Sequence, residues 1–230
     1  MGDARQLAMA RRHVNSLLQP ALTALGFKRK RDCYELELAE QVVGVVCFGV
    51  GSVDPIEIYV TVGVRFIELE GLASHLQGIS GTGDGWTLGA RLCDLKLGTA
   101  MRRPTVRLSG TESDIATIAQ VVDDIQCDGV PFMQEWADLT KLIDHMKHAL
   151  DERMRGNRYV TDPATTLPVA LATIGRLDEG LNVVRRTVSS LAGMKNRGYA
   201  YSYSRFAAAY EDFASGPRGH PLAGRSQQTK

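Results

Sequence analysis

The sequence predicts an α+β fold, a largely antiparallel sheet of four to five strands packed by helices, followed by a C-terminal helical subdomain. Three observations carry this. Residues 56–64 alternate strictly, with Ile56, Ile58, Val60, Val62 and Val64 on one face and Glu57, Tyr59, Thr61 and then Arg65 on the other, the period of a half-buried strand rich in β-branched residues. Residues 42–48 are apolar on both faces, as a central strand covered on both sides is. The strands also follow one another between flanking helical patterns, where a parallel α/β sheet alternates strand with helix.

Taken in order, residues 4–25 carry Leu7, Val14, Leu17, Leu18, Ala21, Leu22 and Leu25 at helical spacing. Asp3 is placed to cap the start and Gly26 the end, and Pro20 predicts a kink or break near Gln19. The basic run 28–31 reads as a connector. Tyr34, Leu36 and Leu38 alternate with Glu35 and Glu37 as a first strand, and residues 39–41 turn the chain into the 42–48 strand. Residues 49–55 read as a hairpin turn. Ile67–Leu76 reads as a short helix or a covering loop. Trp86, Leu88, Ala90 and Leu92 suggest a fourth strand, Val106 and Leu108 a fifth.

Thr111, Glu112, Ser113 and Asp114 form a capping box ahead of a helical stripe of Ile115, Ile118, Ala119, Val122 and Ile125. Gly129 is expected to end that helix and Pro131 to open the next. Phe132, Trp136, Leu139, Ile143, Met146 and Leu150 then step by four and three as one seam. The polar stretch 156–166 marks a boundary. Beyond it, 167–174 and 181–191 read as a helical pair whose Gly-x-x-Asp-Glu-Gly-Leu turn resembles the hairpin of tetratricopeptide repeats, and 204–213 as a closing helix. The expected domains are therefore 1–155, 156–215, and a disordered tail, 216–230.

Composition restricts function. Hydrophobic residues make up 44% and charged residues 23% of 230, with a net charge of +1, which gives no bulk attraction to nucleic acid or anionic membranes. No window approaches the ~20 apolar residues of a membrane span, and the N-terminus lacks a signal peptide's apolar core. Cys33, Cys47, Cys93 and Cys127 are scattered without CxxC spacing, so neither zinc nor a disulfide framework is signalled. Free thiols in a reducing cytoplasm are the expectation.

Candidate chemistry is sparse. Residues 80–85 are glycine-rich, yet no lysine follows as a P-loop requires and a strand follows where a dinucleotide fold needs a helix. A mobile connector is the reading, with Thr82 and Asp84 as possible partner contacts. His145 and His148, near Asp144 and Glu152, have a spacing that metal sites use, but no further ligand segment is nominated. Asp123, Asp124 and Asp128 sit near a helix end without a metal pattern. The run 28–31 has Glu35, Glu37 and Glu40 close by to neutralise it. No G-x-S-x-G elbow is present, and no histidine lies near Cys33 or Cys47. Catalytic residues, metal ligands and cofactors are accordingly not assigned.

The segment 199–206 concentrates Tyr199, Tyr201 and Tyr203, interleaved with Arg197 and Arg205. These residues either anchor a partner or pack the last helices onto the body.

Several of these segments together resemble the bacterial domain-of-unknown-function family 4304 (DUF4304). They are residues 18–29 with the tyrosine-containing strand and the Val43–Phe48 strand after them, 59–64 with its glycine, and Gly129-Val130-Pro131-Phe132. The resemblance spans about residues 7–150 and implies an α+β domain in a cytoplasmic bacterial protein. The family carries over no catalytic residues. The expected function is a non-enzymatic module that binds another protein, of immunity or defence type. A hydrolase or nuclease with a site assembled across the sheet is the alternative, and a nucleic-acid-binding protein the second.

Overall fold

The structure, a computed structural model, describes residues 2–53, 55–79, 86–95, 105–109, 114–151, 159–160, 162–192 and 197–216. In chain order the elements are α1 (Gly2–Ala24), β1 (Lys28–Lys30), β2 (Cys33–Ala39), β3 (Val42–Val53), β4 (Ile56–Phe66), α2 (Ile67–Leu76), β5 (Leu88–Arg91), α3 (Leu92–Leu95) and β6 (Val106–Leu108). They continue with α4 (Asp114–Asp124), a π-helical turn (Ile125–Gly129), α5 (Val130–Glu135), α6 (Leu139–Asp151), β7 (Tyr159–Val160), α7 (Pro163–Thr173), α8 (Leu177–Leu191) and α9 (Arg197–Ser215). The fold is α+β, as predicted. All strand pairs are antiparallel.

Contacts divide the chain into two units. One comprises residues 1–66, 84–138 and 156–161; the other comprises 67–83, 139–155 and 162–230. The sequence places a boundary at 156, but here α2 and α6 belong with the C-terminal helices. For α6 the 132–150 seam accounts for the difference: α5 stops at Glu135 and α6 starts at Leu139, so one apolar spacing runs over two helices.

The first unit holds the sheet, in the order β1-β2-β3-β4-β5-β7 with β6 also on β4. The two strands beyond the expected five are β1, read as a connector from its basic residues, and β7. The β3–β4 hairpin is longer than expected, because 49–53 continue the strand with Gly49 opposite Tyr59. The Tyr59 ring lies where side chains on Gly49 and Gly51 would stand.

One sheet face carries the even-numbered residues of β4 and those of β3 as far as Val50, where the register shifts. Gly44 lies against Met133, Val62 against Gly129, and the Tyr34 hydroxyl donates to Asn15 Oδ1 at 2.9 Å. Helix α1 runs unbroken through Pro20 and closes at Gly26 (φ 92°). There the Phe27 N–H reaches the Leu22 carbonyl and the Gly26 N–H the Thr23 carbonyl, the paired bonds of a left-handed helix end. Buried Asp114 (2% exposed) opens α4; it accepts the Ser109 backbone N–H (2.7 Å) and hydroxyl (2.9 Å) and lies 3.2 Å from the His13 ring on α1. Residues 111–113 of the expected capping box lie outside the described residues. Ile115, expected on the buried stripe, is 61% exposed. The helix also does not end at Gly129, since the π turn carries it into α5.

The other face holds a correction. Cys33 and Cys47, expected as free thiols, are directly opposed in the β2–β3 register and form a disulfide, with Cα atoms 4.5 Å apart. That close spacing belongs to a non-hydrogen-bonded antiparallel pair, where side chains meet. It comes from strand register and cannot be read from spacing along the chain. Cys93 and Cys127 are free. The bridge closes a loop with a sequence separation of 14, so replacing both cysteines by serine should lower stability by about 3 kcal/mol. Urea unfolding with and without reductant measures this, and a midpoint indifferent to reductant would refute it.

The second unit is helical. Helices α7 and α8 form the hairpin expected from the Gly175–Leu181 turn, α9 packs on α8, and α2 and α6 pack on α7. Lys147 on α6 reaches Glu179 on α8 at 3.2 Å. Among the described residues no helix is long and apolar enough to cross a membrane.

Candidate functional site

Helix α9 begins at Arg197, a full two turns before the expected start at 204, so the tyrosine-rich segment is helical. Helical phase then sorts its aromatics. Tyr199, Tyr203, Phe206, Tyr210 and Phe213 step by four and three and form one ladder, with successive ring centroids 5.6–6.3 Å apart. Tyr203, Phe206 and Tyr210 are buried. Tyr201 lies off the stripe and is 70% exposed.

Two buried hydroxyls find partners on α7. Tyr203 donates to the Ala164 carbonyl at 3.0 Å and Tyr210 to the Pro168 carbonyl at 2.9 Å. The first bond has a sequence cause. Within a helix the Ala164 carbonyl would accept the N–H of residue 168, but Pro168 has none. Tyr203 replaces that donor. Burial pushes the Tyr203 phenol up to about 12 and raises that of Tyr210 as well.

Asp162 caps α7. It accepts the Ala164 N–H (3.2 Å) and the Thr165 hydroxyl (3.1 Å), with Pro163 in the first turn, a standard helix-start pairing of cap and proline. The Tyr199 hydroxyl donates to both carboxylate oxygens, at 3.3 and 3.2 Å. Burial, and then the Asp162 charge, raise the Tyr199 phenol well above its ordinary range.

A cavity of about 300 Å³ opens here, wholly within the second unit. Tyr203 and Phe206 contribute its aromatic lining. Gln77 and Ile79, just beyond α2, contribute one side, Asp162 and Thr165 another, and Tyr199, Ser202 and Arg205 line it from α9. Ile79 is exposed, as is Arg205.

Of the sequence candidates, Tyr199, Tyr203 and Arg205 meet at this cavity, and Tyr201 stands one helical turn before Arg205 on a neighbouring flank. Tyr203 is not available to a partner, because it is core. The Arg197 side chain, Thr82, Asp84 and the rest of 80–85 lie outside the described residues, as do 217–230. Asp162, Thr165, Gln77 and Ile79 were not candidates. The Asp162-Pro163 pair is a legible helix start, but nothing in the sequence brings Gln77 and Ile79 beside α9.

The remaining candidates do not converge. Half-buried His145 has its pKa lowered by burial and then by His148, while His148 and Asp144 are exposed and Glu152 lies outside the described residues. Asp123 and Asp124 are not at a helix end, since the π turn follows them. Among the described residues no group of three or more His, Cys, Asp or Glu is placed to hold a metal ion. The basic run is an edge strand in which Lys30 pairs with Glu35 at 3.5 Å and Arg29 bonds Gln19 at 3.3 Å.

Compared with protein-family models, curated proteins and solved structures, the chain matches none. The likeness to DUF4304 over residues 7–150 therefore rests on the segments that suggested it.

Proposed function

We propose that this protein is a non-enzymatic binding module that takes a partner protein on the second unit, at the flank of α9 bearing Tyr201 and Arg205 and at the cavity beside it. The observation that carries this reading is the position of Tyr201. Of the ladder's tyrosines, Tyr203 and Tyr210 are buried and Tyr199 is held to Asp162, while Tyr201 is left 70% exposed, one turn from a cationic side chain. Exposed tyrosine and arginine beside a hollow are the residue types that dominate binding energy at protein interfaces. A bacterial immunity- or defence-type protein that masks its partner is the concrete form of the proposal. Its expected cytoplasmic location loses one premise, since the Cys33–Cys47 bridge fits an oxidising compartment better.

The test is capture from the native host's extract on the tagged full chain, run in parallel with Tyr201→Ala and Arg205→Glu. The expected result is one stoichiometric protein held by the wild type and weakened about 30-fold by either substitution, the effect of losing a hot-spot residue. Both variants should melt close to wild type, as surface substitutions do. The same proteins retained equally by all three chains would overturn the proposal.

A further inference from the structure

The cavity's electrostatics say what kind of group it accepts. Resting on the binding-module reading, we infer that it takes an acidic side chain of the partner, its carboxylate on Arg205 and its apolar neighbour over exposed Ile79 and Tyr199. Two of the described lining residues are charged, Asp162 and Arg205. Asp162 is already occupied as an acceptor by the Ala164 N–H and the hydroxyls of Thr165 and Tyr199. Arg205 makes no hydrogen bond or ion pair among the described residues. Among the described lining residues the charge without a partner is therefore positive, and a guanidinium fork matches a carboxylate through two parallel bonds.

Position along the helix keeps the two charges from cancelling. Tyr199, which holds Asp162, and Arg205 are six residues apart, roughly 9 Å along the axis of α9. A carboxylate on Arg205 thus docks away from the Asp162 end. At that end a second carboxylate is repelled, while an amide or hydroxyl donor is tolerated. About 300 Å³ lies at the small end of ligand cavities, room for an anchor residue and its neighbour. Ile79 and the Tyr199 ring, both exposed at the cavity, favour an apolar neighbour through buried area.

The experiment titrates the isotope-labelled full chain with three capped dipeptides, N-acetyl-Leu-Glu-amide, N-acetyl-Leu-Gln-amide and N-acetyl-Leu-Lys-amide, and follows backbone NMR shifts. Saturable shifts at Ser202–Phe206 and at Thr165 are expected for the glutamate peptide. Its Kd should be at least tenfold below that of the glutamine peptide, and the Arg205→Gln chain should lose that preference. Equal Kd for the three peptides, a preference for lysine, shifts confined to other residues, no response to the glutamate peptide, or an unchanged preference in Arg205→Gln would each overturn the inference. The two proposals fail separately. Partner capture that depends on Tyr201 without a glutamate response keeps the module and removes the acidic anchor. A glutamate response with no Tyr201-dependent partner assigns the cavity to a free carboxylate ligand and removes the partner protein.

Discussion

Replacing Glu35 with alanine should destabilise the protein by about 3–5 kcal/mol, the cost of leaving one member of a buried ion pair without the other. Arg65 projects from the face of β4 opposite the alternating apolar residues, yet it is 5% exposed and donates to Glu35 on β2 across the intervening β3. Losing the carboxylate leaves the buried guanidinium without that partner and exposes its desolvation penalty. The double variant Glu35→Met with Arg65→Met should recover most of the loss, because apolar groups of similar size need no partner. Lys30 also reaches Glu35, but its side chain is 56% exposed. Lys30→Met should therefore cost no more than about 1 kcal/mol. Urea unfolding of the four proteins forms the test. A Glu35→Ala loss below that of Lys30→Met would show that Arg65 does not depend on this carboxylate.

The same pair marks where sequence reading reached its limit. The period of two in 56–66 identified β4 and its apolar face, and the double-sided apolar run identified β3. Both signals are local. That Arg65 is buried depends on what covers the second face, and period alone reports only which face a residue is on. Strand β1 is not legible for a related reason: Lys28, Arg29 and Lys30 have no strand character of their own and are extended because β2 offers them a ladder. The disulfide follows from the register that sets Cys33 opposite Cys47.

Helical spacing misled in the opposite direction. The four-and-three seam of 132–150 continues across the break at Trp136–Asp138, because two successive helices can each present an apolar face without being one helix. At the candidate site, the composition of 197–205 is informative but does not fix the helical phase. A helix that starts at 204 leaves Tyr199, Tyr201 and Tyr203 equivalent. Starting it at Arg197 puts Tyr199 and Tyr203 in register with Phe206, Tyr210 and Phe213, and leaves Tyr201 outside. The cavity itself needs Gln77, Ile79 and Asp162 beside α9, and no spacing along the chain encodes that.

Replacing Tyr203 with alanine should cost about 3–5 kcal/mol, the range for emptying a buried aromatic position, whereas Tyr201→Ala should stay within about 0.5 kcal/mol. Tyr203 is 2% exposed, lies between Tyr199 and Phe206 in the ladder, and is the donor that Pro168 denies to Ala164. Tyr203→Phe keeps the ring and removes the donor, so it should cost about 1–3 kcal/mol for an orphaned buried carbonyl. The hydroxyl also gives a pH signature. With the folded phenol held near 12 and an unfolded value near 10, the folded state keeps its proton after the unfolded chain has lost it. Its contribution is complete below pH 10 and declines as pH rises from about 10 to about 12. Tyr203→Phe should therefore flatten part of the alkaline fall in stability, and Tyr199 and Tyr210, also shifted upward, should sustain the remainder. Urea unfolding at pH 8 and pH 11 measures both effects. An alkaline slope unchanged by Tyr203→Phe would mean that this phenol is solvated in the folded protein. Tyr203 would then belong with Tyr201 on the binding face, and loss of partner capture by a Tyr203 variant could be read as a contact removed where it is otherwise a core undone.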